Sequence, residues 1–322
     1  MTVESRRPVA GGRRASESES AHDGGGEEPN QIAGHIAQEL RDSGLACEVV
    51  NFVPTEAAAL RRDRIVISLA LIVLTALAWS YLLWLSVDMD MGGMDMTGFR
   101  MIPSGMGLMV PADTPWPPIE LAFVFVMWAV MMVGMMTPSS LPMFLMYARV
   151  GRLTEDGRPL AATVWFAAGY FLVWAAFALL ATLAQWAFER IGLLDFKMAS
   201  TSTVVAGLLF VAAGSYQWTK LKDICLAECQ TPFAFLIRHG GFRCDAAGSL
   251  MLGLRHGAYC VGCCWVLMTL LFVGGAMNVL WVVLLALFVL LEKVSSFGRQ
   301  IAPLAGVVLV AAGAWLLLTG IS

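Results

Sequence analysis

Seven apolar runs, most of them long enough to cross a lipid bilayer, restrict this chain more than any other feature. A membrane-crossing helix needs about 20 apolar residues. Inside the hydrocarbon layer the backbone must satisfy its own hydrogen bonds, which only helices and closed barrels achieve. The runs fall near residues 65–87, 119–147, 160–187, 201–219, 257–276, 279–292 and 301–320. A chain that is 58% hydrophobic and 14% charged is not an ordinary soluble domain. The predicted fold is all-α: a polytopic membrane helix bundle with about seven transmembrane helices. The sixth run is short and reads as a re-entrant or deeply buried helix.

Basic residues orient the bundle, since Lys and Arg collect on the cytoplasmic side. With the N-terminus in the cytoplasm, thirteen of them flank the inner ends, among them Arg61, Arg62, Arg64, Lys220, Lys222, Lys293 and Arg299. Three remain outside: Arg100, Arg190 and Lys197. Residues 1–60 are polar and include a Ser/Glu/Gly run from Ser16 to Glu28, which cannot bury apolar surface. They read as a largely disordered cytoplasmic tail, with Cys47 standing alone in it. Residues 61–322 form the membrane domain, and the lipid bilayer is its partner. A net charge of −3 gives no reason to expect nucleic acid.

Between Cys225 and Cys264 lie six of the seven cysteines. Cys225 and Cys229 stand one helical turn apart and share a face. His256, Cys260 and Cys264 step by four along another helix, with Cys263 beside them; Cys244 stands apart in a Gly/Asp-flanked loop. This segment, 220–256 with the start of the fifth run, is expected on the reducing cytoplasmic side, where disulfides are rare. Gathered thiolates need a cation, and a bound metal supplies one. Cys225/Cys229 with Cys260/Cys263 suit a four-sulfur zinc or iron–sulfur site. Two or three of these thiolates with His256 or Met268 suit Cu(I) instead. Taken singly, each cysteine reads equally well as a small buried hydrophobe. Glu292-Lys293 closes the sixth run as a surface ion pair or a snorkelling lysine, and Asn278 reads as a turn residue.

Methionine supplies a second signal. Residues 88–118 form an extracytoplasmic loop in which Met89, Met91, Met94 and Met96 alternate with Asp and Gly, followed by Met101, Met106 and Met109. Thioethers are soft, neutral ligands that suit Cu(I) and withstand oxidising surroundings better than thiols. Met132, Met136, Met143 and Met146 then line one side of the second run. They read either as a stepping path or as adaptable packing.

Four motifs carry a resemblance. They are Trp128 with Met131-Met132 and Met135-Met136 before Pro138; the run 213–222 leading to Cys225 and Cys229; His256-Gly257 with the run 259–265; and Met277-Asn278 with Glu292-Lys293. Over residues 65–320 the chain resembles the predicted metal-binding integral membrane proteins of bacteria, often labelled copper chaperones. The resemblance implies a bacterial inner membrane and copper as the cofactor or cargo.

Three functions are compatible with these residues. The first is copper handling or delivery through the Cys/His site and the Met-rich loop, with an extracytoplasmic cuproprotein or copper chaperone as partner. The second is a membrane thiol–disulfide oxidoreductase using Cys260 and Cys263. The third is a structural metal scaffold in a membrane complex. No P-loop, phosphorylated-Asp motif or hydrolase triad is present to drive pumping.

Overall fold

The computed structural model describes residues 55–89, 99–104, 108–111, 114–153, 159–193, 202–295 and 297–321. The polar tail up to residue 54, with Cys47, lies outside them. So do Met91, Met94 and Met96 of the loop.

The described chain is helical apart from one small hairpin. Helix α1 (Thr55–Met89) is followed by strands β1 (Phe99–Met101) and β2 (Met109–Pro111), paired antiparallel with Arg100 opposite Val110. Then come α2 (Pro118–Arg152), α3 (Pro159–Arg190), α4 (Thr203–Tyr216), α5 (Lys220–Gln230) and α6 (Pro232–Arg238). Helices α7 (Ala246–Thr269), α8 (Leu271–Gly274), α9 (Val279–Val294) and α10 (Gly298–Ile321) complete the bundle.

Among the described residues five helical segments are long and apolar enough to cross a membrane: Leu60–Asp88, Pro118–Arg152, Leu160–Arg190, Ala246–Gly274 and Gly298–Gly320. The expected count of about seven is not reached. Two of the seven runs fold as α4, with 14 residues, and α9, with 16. At 1.5 Å per residue these are about 21 and 24 Å long, short of the roughly 30 Å hydrocarbon layer. The helix carrying the fifth run also begins earlier than expected, at Ala246 rather than near 257. Asp245 explains the shift, because its carboxylate accepts the Gly248 N–H as an N-cap.

Small residues set the closest helix crossings. At the α3–α7 crossing a Cβ on Gly253 would come within 2.0 Å of the Phe166 carbonyl oxygen, and one on Gly169 within 2.2 Å of that of Leu250. Helix α4 runs antiparallel beside α10, with Gly207 against Gly313 and Gly214 against Gly306. Backbones that approach this closely gain dispersion contact in a medium where the hydrophobic effect between helices is weak.

Within α2, Pro138 and Pro142 lie inside a continuous helix. Ser139 and Ser140 donate to the carbonyls of Met136 and Thr137, each at 2.9 Å. These are not the two carbonyls the prolines free, those of Gly134 and Pro138. Asn278 caps α9 by accepting the Trp281 N–H at 3.3 Å, the turn role expected of it.

The core lies where α2, α3, α7 and α9 meet. Trp128, Phe144, Tyr147, Phe166, Tyr170 and Val289 are each no more than 1% exposed there. Large apolar side chains such as Leu69, Leu77, Leu172, Leu180, Leu304 and Leu318 face outward.

Candidate metal centre

Helix α5 leaves α4 after a three-residue link, 217–219, and packs against α7. Thr219 caps it, its side-chain oxygen accepting the Lys222 N–H at 3.3 Å. Pro232 prevents its continuation, because a proline nitrogen has no hydrogen to donate. Cys225 and Cys229 therefore face α7 from successive turns. On α7, Cys260, Cys263 and Cys264 sit in the second half of the helix, about 21 to 27 Å beyond its start. The sequence had placed them at the mouth of a span.

The thiols gather where these helices meet α3 and α9. Cys229, from α5, neighbours Cys260 and Cys263 of α7. Cys263 and Cys264 each donate to the Cys260 carbonyl at 3.1 Å. The Cys260 sulfur is 3.1 Å from the Tyr170 hydroxyl and accepts from Lys293 Nζ at 2.9 Å. The same ammonium reaches Cys264 Sγ and Met136 Sδ, each at 3.7 Å. Three of the four cysteines are no more than 2% exposed; Cys229 is half-buried.

Lys293 overturns the sequence reading of Glu292-Lys293 as a surface pair or snorkelling lysine. Neighbouring helix residues point about 100° apart, so the two cannot face each other. Glu292 instead accepts from Lys222 Nζ through both oxygens at 2.8 Å, while Lys293 turns into the thiols. All three charges are at most 5% exposed. A buried charge without compensation is strongly unfavourable. Lys222 and Glu292 compensate each other, and the sulfurs hold Lys293.

Cys225 lies beside this group. Its sulfur packs against Gly262, where a Cβ would come within 2.7 Å of it. Burial, then the neighbouring Cys263 sulfur and Glu228, push its thiol above the ordinary value.

His256, one turn before Cys260, is buried among rings. It stacks on Tyr170 with centroids 5.7 Å apart and meets the edge of Phe235 at 5.1 Å. Its Nδ1 has no hydrogen-bond partner. His239 is satisfied, with Nδ1 2.9 Å from the Phe235 carbonyl oxygen. Of the loop methionines, Met89 ends α1 and the other three lie outside the described residues.

Among the described residues no three or more His, Cys, Asp or Glu side chains form a ready metal-holding group. The sulfurs of Cys260, Cys264 and Met136 instead surround the Lys293 ammonium. The donors are nonetheless those of a soft-metal site: thiols, a thioether and little competing oxygen.

Sequence reasoning missed Lys293 and Tyr170. Two adjacent charges ending an apolar run were a usable signal, since helix geometry sends them to different partners. Tyr170 carried no signal of its own within the third run.

Comparison with known proteins supplies one match. The model of the PpoB2 family, described as a copper chaperone, covers residues 125–316, from two turns into α2 nearly to the end of α10. No curated protein and no solved structure matches the chain.

Proposed function

The chain belongs to the PpoB2 copper chaperone family, whose model covers more than half of it, and we propose that it holds Cu(I) at the buried thiol cluster for delivery. One observation carries this reading: the Lys293 ammonium sits among sulfurs, 2.9 Å from Cys260 Sγ and 3.7 Å from both Cys264 Sγ and Met136 Sδ, with Cys263 Sγ on the Cys260 carbonyl at 3.1 Å. Cys229, Cys260 and Cys263 supply the two or three thiolates that Cu(I) prefers. Cys264 stands in reserve on the same face. The Lys293 ammonium offsets the negative charge that copper bound by several thiolates leaves behind. His256, with an unpartnered ring nitrogen one turn away, is the alternative donor.

Around this centre the finer assignments follow the sequence reading. Met89, Met91, Met94 and Met96 collect Cu(I) on the outer side of a bacterial inner membrane, with the N-terminus in the cytoplasm. The recipient is an extracytoplasmic copper protein or a further chaperone.

Copper content of purified protein tests the centre. Wild type, Cys260→Ser, Cys229→Ser and Cys225→Ser would each be loaded with Cu(I), dialysed and analysed for metal per chain. The first two substitutions are expected to lose most of the bound copper, and Cys225→Ser to keep it. Equal copper in all four would overturn the proposal. Loss only with Cys225→Ser would move the site to the α5–Gly262 contact.

A further inference from the structure

The thiol cluster leaves the methionines of α2 without a role. Met127, Met131, Met132, Met135 and Met136 are each no more than 1% exposed. They form two neighbouring rows, 127–131–135 and 132–136, so every turn of this stretch carries a thioether. Members of a row are about 6 Å apart along the axis, and residues three or four apart are neighbours on a helix surface. Leucine would fill the same volume with a better-defined shape, so packing alone does not call for sulfur at each turn. Neutral thioethers let a soft cation be bound in the interior without burying further charge.

Both ends of the rows lead somewhere. At one end Met136 Sδ lies 3.7 Å from Lys293 Nζ, which also donates to Cys260 and Cys264. The ammonium is a monovalent cation held by one thioether and two thiol sulfurs. The last methionine therefore shares a cation position with the cluster. At the other end the rows climb towards Pro118, where α2 emerges from the loop that carries the remaining methionines.

We propose that these five methionines are a relay along which Cu(I) passes between the loop end of α2 and the thiol cluster; this rests on the copper reading above. Each step is a ligand exchange in which one thioether–copper bond forms as the previous one breaks. The oxidation state does not change. At the end the Cys260 sulfur takes the copper as the Met136–copper bond breaks, and the hydrogen bond from the Lys293 ammonium to that sulfur gives way to the new bond. Met136 is the hand-over point, and the flexible unbranched side chains supply the reach between turns.

Loading kinetics of the full chain in lipid nanodiscs test the relay. Cu(I) would be offered as its bicinchoninate complex, and cluster filling followed by the ultraviolet absorption of copper–thiolate bonds. Met131→Leu/Met132→Leu/Met135→Leu keeps volume and burial while removing three thioethers. Final copper per chain is expected to match wild type, with loading slowed tenfold or more. Equal rates would overturn the relay. A second measurement uses selenomethionyl protein carrying Cys229→Ser, Cys260→Ser and Cys263→Ser, loaded with Cu(I). Selenium X-ray absorption should show copper scattering that weakens when the three leucines are added; no copper–selenium scattering would overturn the relay. Wild-type loading that does not depend on the cysteines would sink the thiol cluster instead, and the selenium signal would still decide the relay.

Discussion

Lys293 Nζ lies 2.9 Å from Cys260 Sγ, so a buried lysine has sulfur where a carboxylate would ordinarily be its partner. Its neighbour Glu292 is committed to Lys222 through both oxygens. The lysine is therefore a fixed positive charge facing the thiols.

Removing that charge should weaken copper binding more than it disturbs the fold. A unit charge at 4 Å is worth about 4 kcal/mol at an effective dielectric of 20, and the lysine must also shift aside when the metal enters. Lys293→Met keeps the length and apolar stem and leaves no opposite charge stranded. Its affinity for Cu(I), measured by competition with a chromophoric chelator, is expected to fall by at least about tenfold, or 1.4 kcal/mol. An unchanged or higher affinity would mean that the ammonium only blocks the site.

The Lys222–Glu292 pair should behave as a buried ion pair, damaging when half removed and dispensable when replaced whole. Glu292→Gln leaves Lys222 uncompensated and is expected to cost about 3–5 kcal/mol. Lys222→Met with Glu292→Leu should recover most of that loss. Thermal unfolding in detergent compares the three, and a double variant no better than the single one would contradict the pairing.

Gly253→Ala should be among the most damaging single-atom additions in the chain. The new methyl would come within 2.0 Å of the Phe166 carbonyl oxygen, a backbone atom that cannot rotate away. Overpacking typically costs about 1–3 kcal/mol, and separating α3 from α7 would also pull Tyr170 from Cys260. Lower thermal stability together with weaker copper binding is the expected pair of results. Wild-type values for both would show that the crossing is looser than the structure has it.

The outer loop can be tested apart from the bundle. Replacing Met89, Met91, Met94 and Met96 with Leu keeps the apolar character and removes four thioethers. A peptide spanning residues 88–109 should bind Cu(I) at least tenfold more tightly than its leucine version, by calorimetry under anaerobic conditions. Equal binding would make the loop an interfacial segment.

Some of this was legible in the residues alone. Apolar runs of about 20 residues admit little besides membrane-crossing helices, so the helical class and the five long spans followed directly. A one-turn spacing puts side chains on one face wherever the helix lies, so the pairing of Cys225 with Cys229 and of Cys260 with Cys263 and Cys264 was also readable. The two short helices were not, because a run's apolar length does not say where a cap will end it. Thr219 starts α5 only one turn after α4 ends.

What local spacing could not supply was the third direction. Cys225 and Cys229 look equivalent in sequence, yet the angle at which α5 crosses α7 points one sulfur at Gly262 and the other at Cys260. Glu292 and Lys293 are adjacent in the chain but face different partners, brought near by helices 70 and 33 residues away. Sequence by itself determined which elements form and which residues share their faces, because both depend on neighbours along the chain. Only the tertiary structure decided which faces meet, because that depends on close packing and on where buried charges find compensation.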